Sequence, residues 1–200
     1  GRTYVASSTD DPAKIDVDEA CNSFTAGKVS VSLGIFTDIQ VNQEAGMGDT
    51  IGNLGETIDV ELLVAAPSWI QPRELLVFLN GTQVHAAPVP QRTGQALREK
   101  ISLQIPRPRH DAHLVCVILG AGVTHVGWPT LHDYTLAATN PVYLDVDGDG
   151  SYQSPRETAA RLLKNAGDDR ERRIAAIREA NTPVALQMLS LLQAGKEKIT

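Results

Sequence analysis

Aromatic residues make up only 4% of the 200 positions, which argues against a ring-lined platform for stacking sugars or bases as the main working surface. A basic excess is missing too: 18 Lys and Arg stand against 24 Asp and Glu, a formal net charge of −6. A duplex-phosphate footprint needs a basic face, so no nucleic-acid partner is expected. No window approaches the ~18 uninterrupted apolar residues of a spanning helix, and no charged-then-apolar leader opens the chain, so no membrane span is expected. Two cysteines, Cys21 and Cys116, are too few for a disulfide-stapled miniprotein. Cys116 sits in the apolar run 114–119, where a buried free thiol is the simplest reading and a disulfide the alternative. They leave the compartment open, with a periplasmic or extracellular setting slightly preferred over a cytoplasmic one. Also missing are GxSxG, GxxxxGK[ST] and a GxGxxG placed between strand and helix, which removes the common nucleophile and phosphate-cradling signatures.

What is present is ordinary globular material, with 42% hydrophobic and 21% charged residues. The length suits one large domain or one domain with an appendage. Gly1 in place of Met predicts an excised fragment or a processed product. Charge divides the chain near residue 150: residues 1–150 carry a net −9 and residues 151–200 a net +3. Two composition regimes predict two structural units. Residues 1–27, polar and Asp-rich with a short helix over 15–25, read as a lead-in, the end of an upstream domain or a linker.

From Val29 the apolar period becomes two, with Val29, Val31, Leu33 and Ile35 alternating with Ser30, Ser32 and Gly34. Further strands are expected over 57–64, 74–79, 83–87, 97–105, 114–119 and 140–145, and Asn80-Gly81 between two of them is a strong hairpin signal. Short strands broken by Gly, Pro and Asn, without long helices between them, predict a mainly β fold over residues 28–150, an immunoglobulin-like antiparallel β-sandwich. After Gly150 the period turns helical. Ser154-Pro155-Arg156-Glu157 reads as a capping box, and residues 151–200 are expected to form a short α-helical C-terminal tail of about three helices, packed on one another and on the sandwich.

The sharpest chemical feature is Asp145-Val146-Asp147-Gly148-Asp149-Gly150-Ser151. Alternate carboxylates bring three hard oxygen donors to one point, and the glycine at the sixth place permits the sharp turn of an EF-hand calcium loop. Without a cation the carboxylates would repel one another. The twelfth place, where a bidentate Glu is usual, is Arg156, and Glu157 follows one residue late. The expectation is a structural Ca²⁺ held by Asp145, Asp147, Asp149 and the Ser151 carbonyl, with Glu157 either closing the shell or only capping the helix. The alternative is an empty Asp/Gly turn. Tyr143 and Tyr152 flank the loop and are expected to shield it.

Histidines offer a second candidate: His110 and His113 around Asp111, then His125 and His132 beside Asp133. Imidazoles with a carboxylate suit zinc, yet HExxH is absent and the residues fall in separate segments, so strand-end or surface histidines are the simpler reading. His85, just past the hairpin, reads as a solvent-facing strand residue. The glycines at 46–48 and 52–55 lie between strands and read as turns. Trp69 and Trp128 each neighbour a proline and read as covers over an end of the sandwich. Arg170, Arg172 and Arg173 alternate with Asp168, Asp169 and Glu171 as a solvated helix face. Asn80-Gly81-Thr82 is a glycosylation sequon where the compartment allows.

The stretch Thr139-Asn140-Pro141-Val142-Tyr143-Leu144-Asp145-Val146-Asp147-Gly148-Asp149-Gly150 resembles the C-terminal part of carbaryl-hydrolase-like members of the PHP (polymerase and histidinol phosphatase) metallohydrolase family. So do Phe24-Thr25-Ala26-Gly27-Lys28-Val29, Gly48-Asp49-Thr50 and Ala66-Pro67-Ser68-Trp69-Ile70. The likeness spans residues 20–155 and departs at Val31-Ser32-Leu33-Gly34, where the family usually has Asn before the Gly. It implies a β-sandwich accessory to a metal-dependent barrel, whose ligating histidines and acids lie upstream and have no counterpart here. The implied partner is that upstream catalytic domain of the same polypeptide. The competing expectation is a calcium-stabilised carbohydrate- or surface-binding module, against which the low aromatic content counts. A small hydrolase is a third reading, and it requires His110, His113 and His132 to converge.

Overall fold

The computed structural model describes residues 1–9, 11–90, 92, 94–124, 127 and 131–197. Strand β1 (Arg2–Val5) leads through a 3₁₀ turn (Pro12–Lys14) into α1 (Val17–Thr25). Then come β2 (Val29–Leu33), β3 (Phe36–Val41), β4 (Thr50–Ile51), β5 (Thr57–Ala66), β6 (Pro72–Leu79) and β7 (Thr82–Pro88). The sandwich closes with β8 (Leu97–Pro106), β9 (Ala112–Ala121), β10 (Tyr134–Thr139) and β11 (Val142–Leu144). Helices α2 (Pro155–Ala166), α3 (Arg170–Glu179) and α4 (Thr182–Glu197) end the chain. The fold is therefore an antiparallel β-sandwich followed by a helical tail, as the periodicity predicts.

The small sheet runs β3-β5-β8, and the large one runs β1-β2-β10-β9-β6-β7. β11 continues along the same edge of β9 that β10 uses, and β4 pairs with β11 in parallel, the one departure from antiparallel pairing among the named strands. Asn80 and Gly81 supply the two left-handed residues of the β6–β7 turn, with φ of 48° and 80°, as a type I′ connection requires. The lead-in is not separate from the sandwich, because β1 pairs with β2 from Arg2↔Ser32 to Val5↔Val29.

Between the sheets lies one continuous aliphatic core that includes Ile39, Ile58, Leu62, Leu75, Leu114 and Ile118, each at most 1% exposed. Burying each such side chain contributes roughly 1.5–3 kcal/mol. β5 and β8 alternate cleanly, and their outward positions carry Lys100 paired with Glu61 at 2.7 Å and Gln104 hydrogen-bonded to Asp59. That face belongs in water. The large sheet behaves differently. Leu114, Cys116 and Ile118 point inward and are fully buried, while Val115, Val117 and Leu119 point outward and are half-buried. The run 114–119 is thus buried on one face only.

β2 also departs from its pattern: Ser30 and Ser32 are the buried pair, and Val31 is 45% exposed. The reason is close packing, since β2 and β10 lie against β3 and present the small side chains of Ser30, Ser32, Ala137 and Thr139 inward. Valines at those places would overfill the gap. The helical tail has its own small core, Ala159, Val184 and Met188 with Leu162 and Ile177. It meets the sandwich mainly through loops, as in the hydrogen bond from Arg109 to the Glu179 carbonyl.

Neither cysteine pairs: Cys21 is exposed on α1 and Cys116 is buried in the core. Burial pushes the Cys116 thiol up to about 12. A water-soluble disulfide reagent is therefore expected to titrate one thiol in the native protein and two after denaturation. Fast reaction of both in the native state would contradict this packing.

A candidate metal centre at the junction of sandwich and tail

The acidic loop begins where β11 ends, and its position is set by pairing. Leu144 faces Ala112 across the ladder, so the next residue, Asp145, emerges beside Asp111. Both aspartates are 3% exposed. A buried carboxylate must accept hydrogen bonds or lose its hydration uncompensated, and each of these finds two backbone donors. Asp145 accepts from Gly148 N through Oδ1 and from Gly150 N through Oδ2, both at 2.8 Å. Gly148 and Gly150 have φ of 74° and 87°, the left-handed region in which glycine alone is unstrained. Those two glycines curl the loop back onto its first carboxylate.

Asp111 does the longer-range work. Its Oδ1 accepts from Val146 N at 2.8 Å and its Oδ2 from Gln153 N at 2.9 Å. One side chain from the start of β9 thereby holds the loop at its entry and its exit. Asp147 reaches the other way, to Arg161 on α2 at 3.0 Å. One oxygen from each of Asp111, Asp145 and Asp147 lies within 4.8 Å of the others, an arrangement that could hold a metal ion. Three carboxylate oxygens are hard donors, and each oxygen bonded once to an N–H keeps a second lone pair. The donor set fits a hard divalent cation better than zinc or copper.

The expected ligands divide accordingly. Asp145 and Asp147 belong to this group of side-chain donors and Asp149 and Glu157 do not, while the Ser151 donor is a backbone carbonyl and not one of the side-chain atoms that define it. Asp149 is exposed, and its Oδ1 accepts from Ser151 N and Ser151 Oγ while Oδ2 accepts from the Gln153 side chain. Those bonds hold its carboxyl below the ordinary range, the Ser151 hydroxyl most strongly. Glu157 closes the capping box, accepting from Ser154 N at 2.8 Å while Ser154 Oγ accepts from Glu157 N. Arg156, at the twelfth place, turns to Gln187 on α4. Asp111 was reachable from sequence only as a neighbour of two histidines, because its partnership with the loop depends on the pairing of Leu144 with Ala112, far apart in the chain.

His113 Nδ1 lies 3.0 Å from the Tyr152 hydroxyl, and Tyr152 packs on Tyr143 with ring centroids 4.9 Å apart. The two tyrosines cover the sandwich side of the loop's exit. Burial lowers the His113 imidazole and raises the Tyr152 phenol to about 12. Burial, and then Arg161, also lowers His110, whose Nε2 is buried without a hydrogen-bond partner among the described residues. His132 stacks on Tyr134 at the opposite end of β9, roughly 27 Å away at a strand's rise per residue. His110, His113 and His132 therefore do not converge. His125 and Trp128 lie outside the described residues. His85 is half-buried on β7, opposite Val77. Trp69 is 46% exposed and lines an open groove of about 660 Å³ with Tyr134 and Leu33. Arg172 and Arg173 pair with Asp169 and Asp168 on the solvated side of α3.

Asp111→Ala strands the amides of Val146 and Gln153, and is expected to lower unfolding free energy by about 2–4 kcal/mol. Asp149→Ala, at an exposed carboxylate, should shift the urea midpoint far less. Equal effects would show that Asp111 is not the fastening. Ser154→Ala should cost about 1 kcal/mol through the lost cap. The Glu157 carboxyl is held below its ordinary 4.5 by the Ser154 hydroxyl and then the Ser154 amide. A lowered folded-state value means stability that is present above 4.5 and lost as pH falls through that folded value. Glu157→Gln should therefore flatten that acid limb of the thermal midpoint; an unchanged limb would exclude the box as its source.

Comparison with family models, curated proteins and solved structures finds no match to this chain.

Proposed function

We propose that this chain is a noncatalytic accessory module in which a hard divalent cation, best matched by Ca²⁺, clips the helical tail to the β-sandwich. The observation that carries the reading is the meeting of Asp111, Asp145 and Asp147 where the two units join. Chemically, a cation there offsets the mutual repulsion of two buried carboxylates and a third beside them. Mechanically, it ties the start of β9 to the loop that leads into α2, the segment that Asp147 also joins to the helix through Arg161. Arg161 already supplies part of the positive charge, so the cation competes with it for Asp147.

The larger setting is a metal-dependent hydrolase of the PHP type, with this module packing on the catalytic barrel or presenting substrate to it. Support for that setting is the TNPVYLDVDGDG stretch and the accompanying short motifs. A second reading, carbohydrate or surface binding, draws on the groove where Trp69, Tyr4 and Tyr134 expose their rings. Glycan-array binding lost on Trp69→Ala would favour it. Affinity for a separately expressed barrel would favour the first.

Isothermal calorimetry with CaCl₂ is expected to show one site, abolished by Asp147→Ala, and chelator should lower the thermal midpoint of the wild type. Arg161→Gln removes the competing cation and should tighten Ca²⁺ binding by about tenfold, the effect of ~1.4 kcal/mol. Absence of binding heat in both the wild type and Arg161→Gln, with a midpoint indifferent to chelator, would overturn the clip.

A further inference from the structure

The Asn80 side chain lies outside the acidic cluster but is tied to the backbone that carries it. Leu79↔Leu114 is the last pair between β6 and β9. At Asn80, with φ 48°, the chain turns out of that ladder into the β6–β7 hairpin. The Asn80 backbone N–H still donates to the His113 carbonyl at 3.0 Å. In an antiparallel ladder that continued, the residue facing His113 would also accept from the His113 amide, and the residue two places further would donate to the Asp111 carbonyl. The Asn80 amide performs both tasks: Oδ1 accepts from His113 N and Nδ2 donates to the Asp111 carbonyl, each at 3.0 Å. One side chain thus stands in for two backbone groups that the turn has removed.

Asparagine suits this place on two counts. The turn needs a left-handed residue, which glycine or aspartate also provides. Glycine, however, has no amide, and an ionised aspartate has no donor for the Asp111 carbonyl. Asp111 is 3% exposed, so its carbonyl needs a donor within the protein. The Asn80 amide is therefore committed inside the fold, not offered to solvent as the acceptor of the Asn80-Gly81-Thr82 sequon.

We infer that Asn80 is a positioning residue for Asp111 and, through it, sets the affinity of the cation clip; the inference rests on the reading of the acidic cluster as a cation site. The segment 111–113 is held at both edges, by Tyr143 and Leu144 of β11 on one and by Asn80 on the other. Holding the Asp111 carbonyl and the His113 amide fixes the direction in which the Asp111 side chain leaves the backbone. That direction matters because the carboxylate meets Val146 N, Gln153 N and the cluster at once, and a ligand tolerates a displacement of only about 0.5 Å. The Tyr152 hydroxyl, 3.0 Å from His113 Nδ1 and 3.5 Å from Asn80 Oδ1, brings the loop's exit to the same point.

Two hairpin variants separate this role from a general contribution to stability. Asn80→Gly keeps a left-handed turn and deletes the amide. Gly81→Ala strains the same turn, at φ 80° with nothing within 4 Å of the added Cβ, and keeps the amide. Calorimetric titration with CaCl₂, at a temperature where circular dichroism shows all proteins folded, should give Asn80→Gly an affinity about tenfold weaker than wild type, the lower end of what losing the support behind a metal ligand costs. Gly81→Ala should bind within about twofold of wild type, although its thermal midpoint in chelator falls. In calcium-free protein, the Val146 and Gln153 amides should exchange with deuterium faster in Asn80→Gly than in Gly81→Ala. Wild-type affinity in Asn80→Gly, or equal weakening in both variants, overturns the positioning role and leaves the clip standing. A wild-type chain that gives no binding heat, with the exchange difference intact, overturns the clip instead and with it the link from Asn80 to affinity.

Discussion

A carboxylate taken out of water must be repaid in hydrogen bonds, and Asp111 satisfies that demand with amides that belong to another part of the chain. Its two acceptors bind Val146 N and Gln153 N, so the loop between β11 and α2 cannot leave the sandwich without stranding a buried anion. Charge-assisted bonds of this kind are about twice as strong as neutral ones. The dependency runs in one direction. Pairing of β11 with β9 places Asp145 beside Asp111, the two carboxylates organise the loop, and the loop delivers Ser154 to begin α2. Removing the first step leaves the later ones without a frame.

The same arrangement explains why acidic side chains persist in so tight a space. Hydrogen bonds from Gly148 and Gly150 stabilise the Asp145 anion, and Arg161 offsets Asp147 from the helical side. The tail is thus joined electrostatically rather than by a shared apolar core, in keeping with its separate cluster around Val184 and Met188. A joint of this type depends on charge and hydrogen bonding, whereas an apolar joint depends on buried area. That chemical distinction gives the acidic loop its interest.

Much of the fold was legible because strands advertise themselves by period and turns by residue type. β5, β6, β7 and β8 follow the alternation and the Asn80-Gly81 signal closely. β1, β3, β4 and β10 were not read from the sequence. In β1 and β10 small or polar side chains alternate weakly, and their pairing partners lie far along the chain. β2 was legible as a strand and misleading as to its faces, since Ser30 and Ser32 turn inward for want of room against β3. In the site, the local half could be read and the distant half could not. Asp145 and Asp147 announce themselves by spacing, but Asp111 acquires its role from the Leu144↔Ala112 register, which no short motif encodes. Glu157 fits the capping box in full and the metal loop only one residue late, and its hydrogen bonds are those of the box.

The two faces of the sandwich carry the remaining lesson. Both sheets pack on the same core, yet one outward face carries the Lys100–Glu61 ion pair and the Gln104–Asp59 hydrogen bond and the other is a field of Val, Leu and Ala. Local propensity cannot account for the difference, because β-branched and aliphatic residues favour strands on either face. A sheet face that meets water loses little by carrying Lys or Glu and gains protection from edge and face aggregation, as the small sheet shows. The large sheet keeps aliphatic side chains on the outward positions of β2, β6, β9 and β10, most of them half-buried by one another within the sheet. The acidic joint lies at the end of this sheet, where the Tyr143 ring from β11 packs on the Tyr152 ring of the loop's exit and an aliphatic surface gives way to a hydrogen-bonded carboxylate cluster.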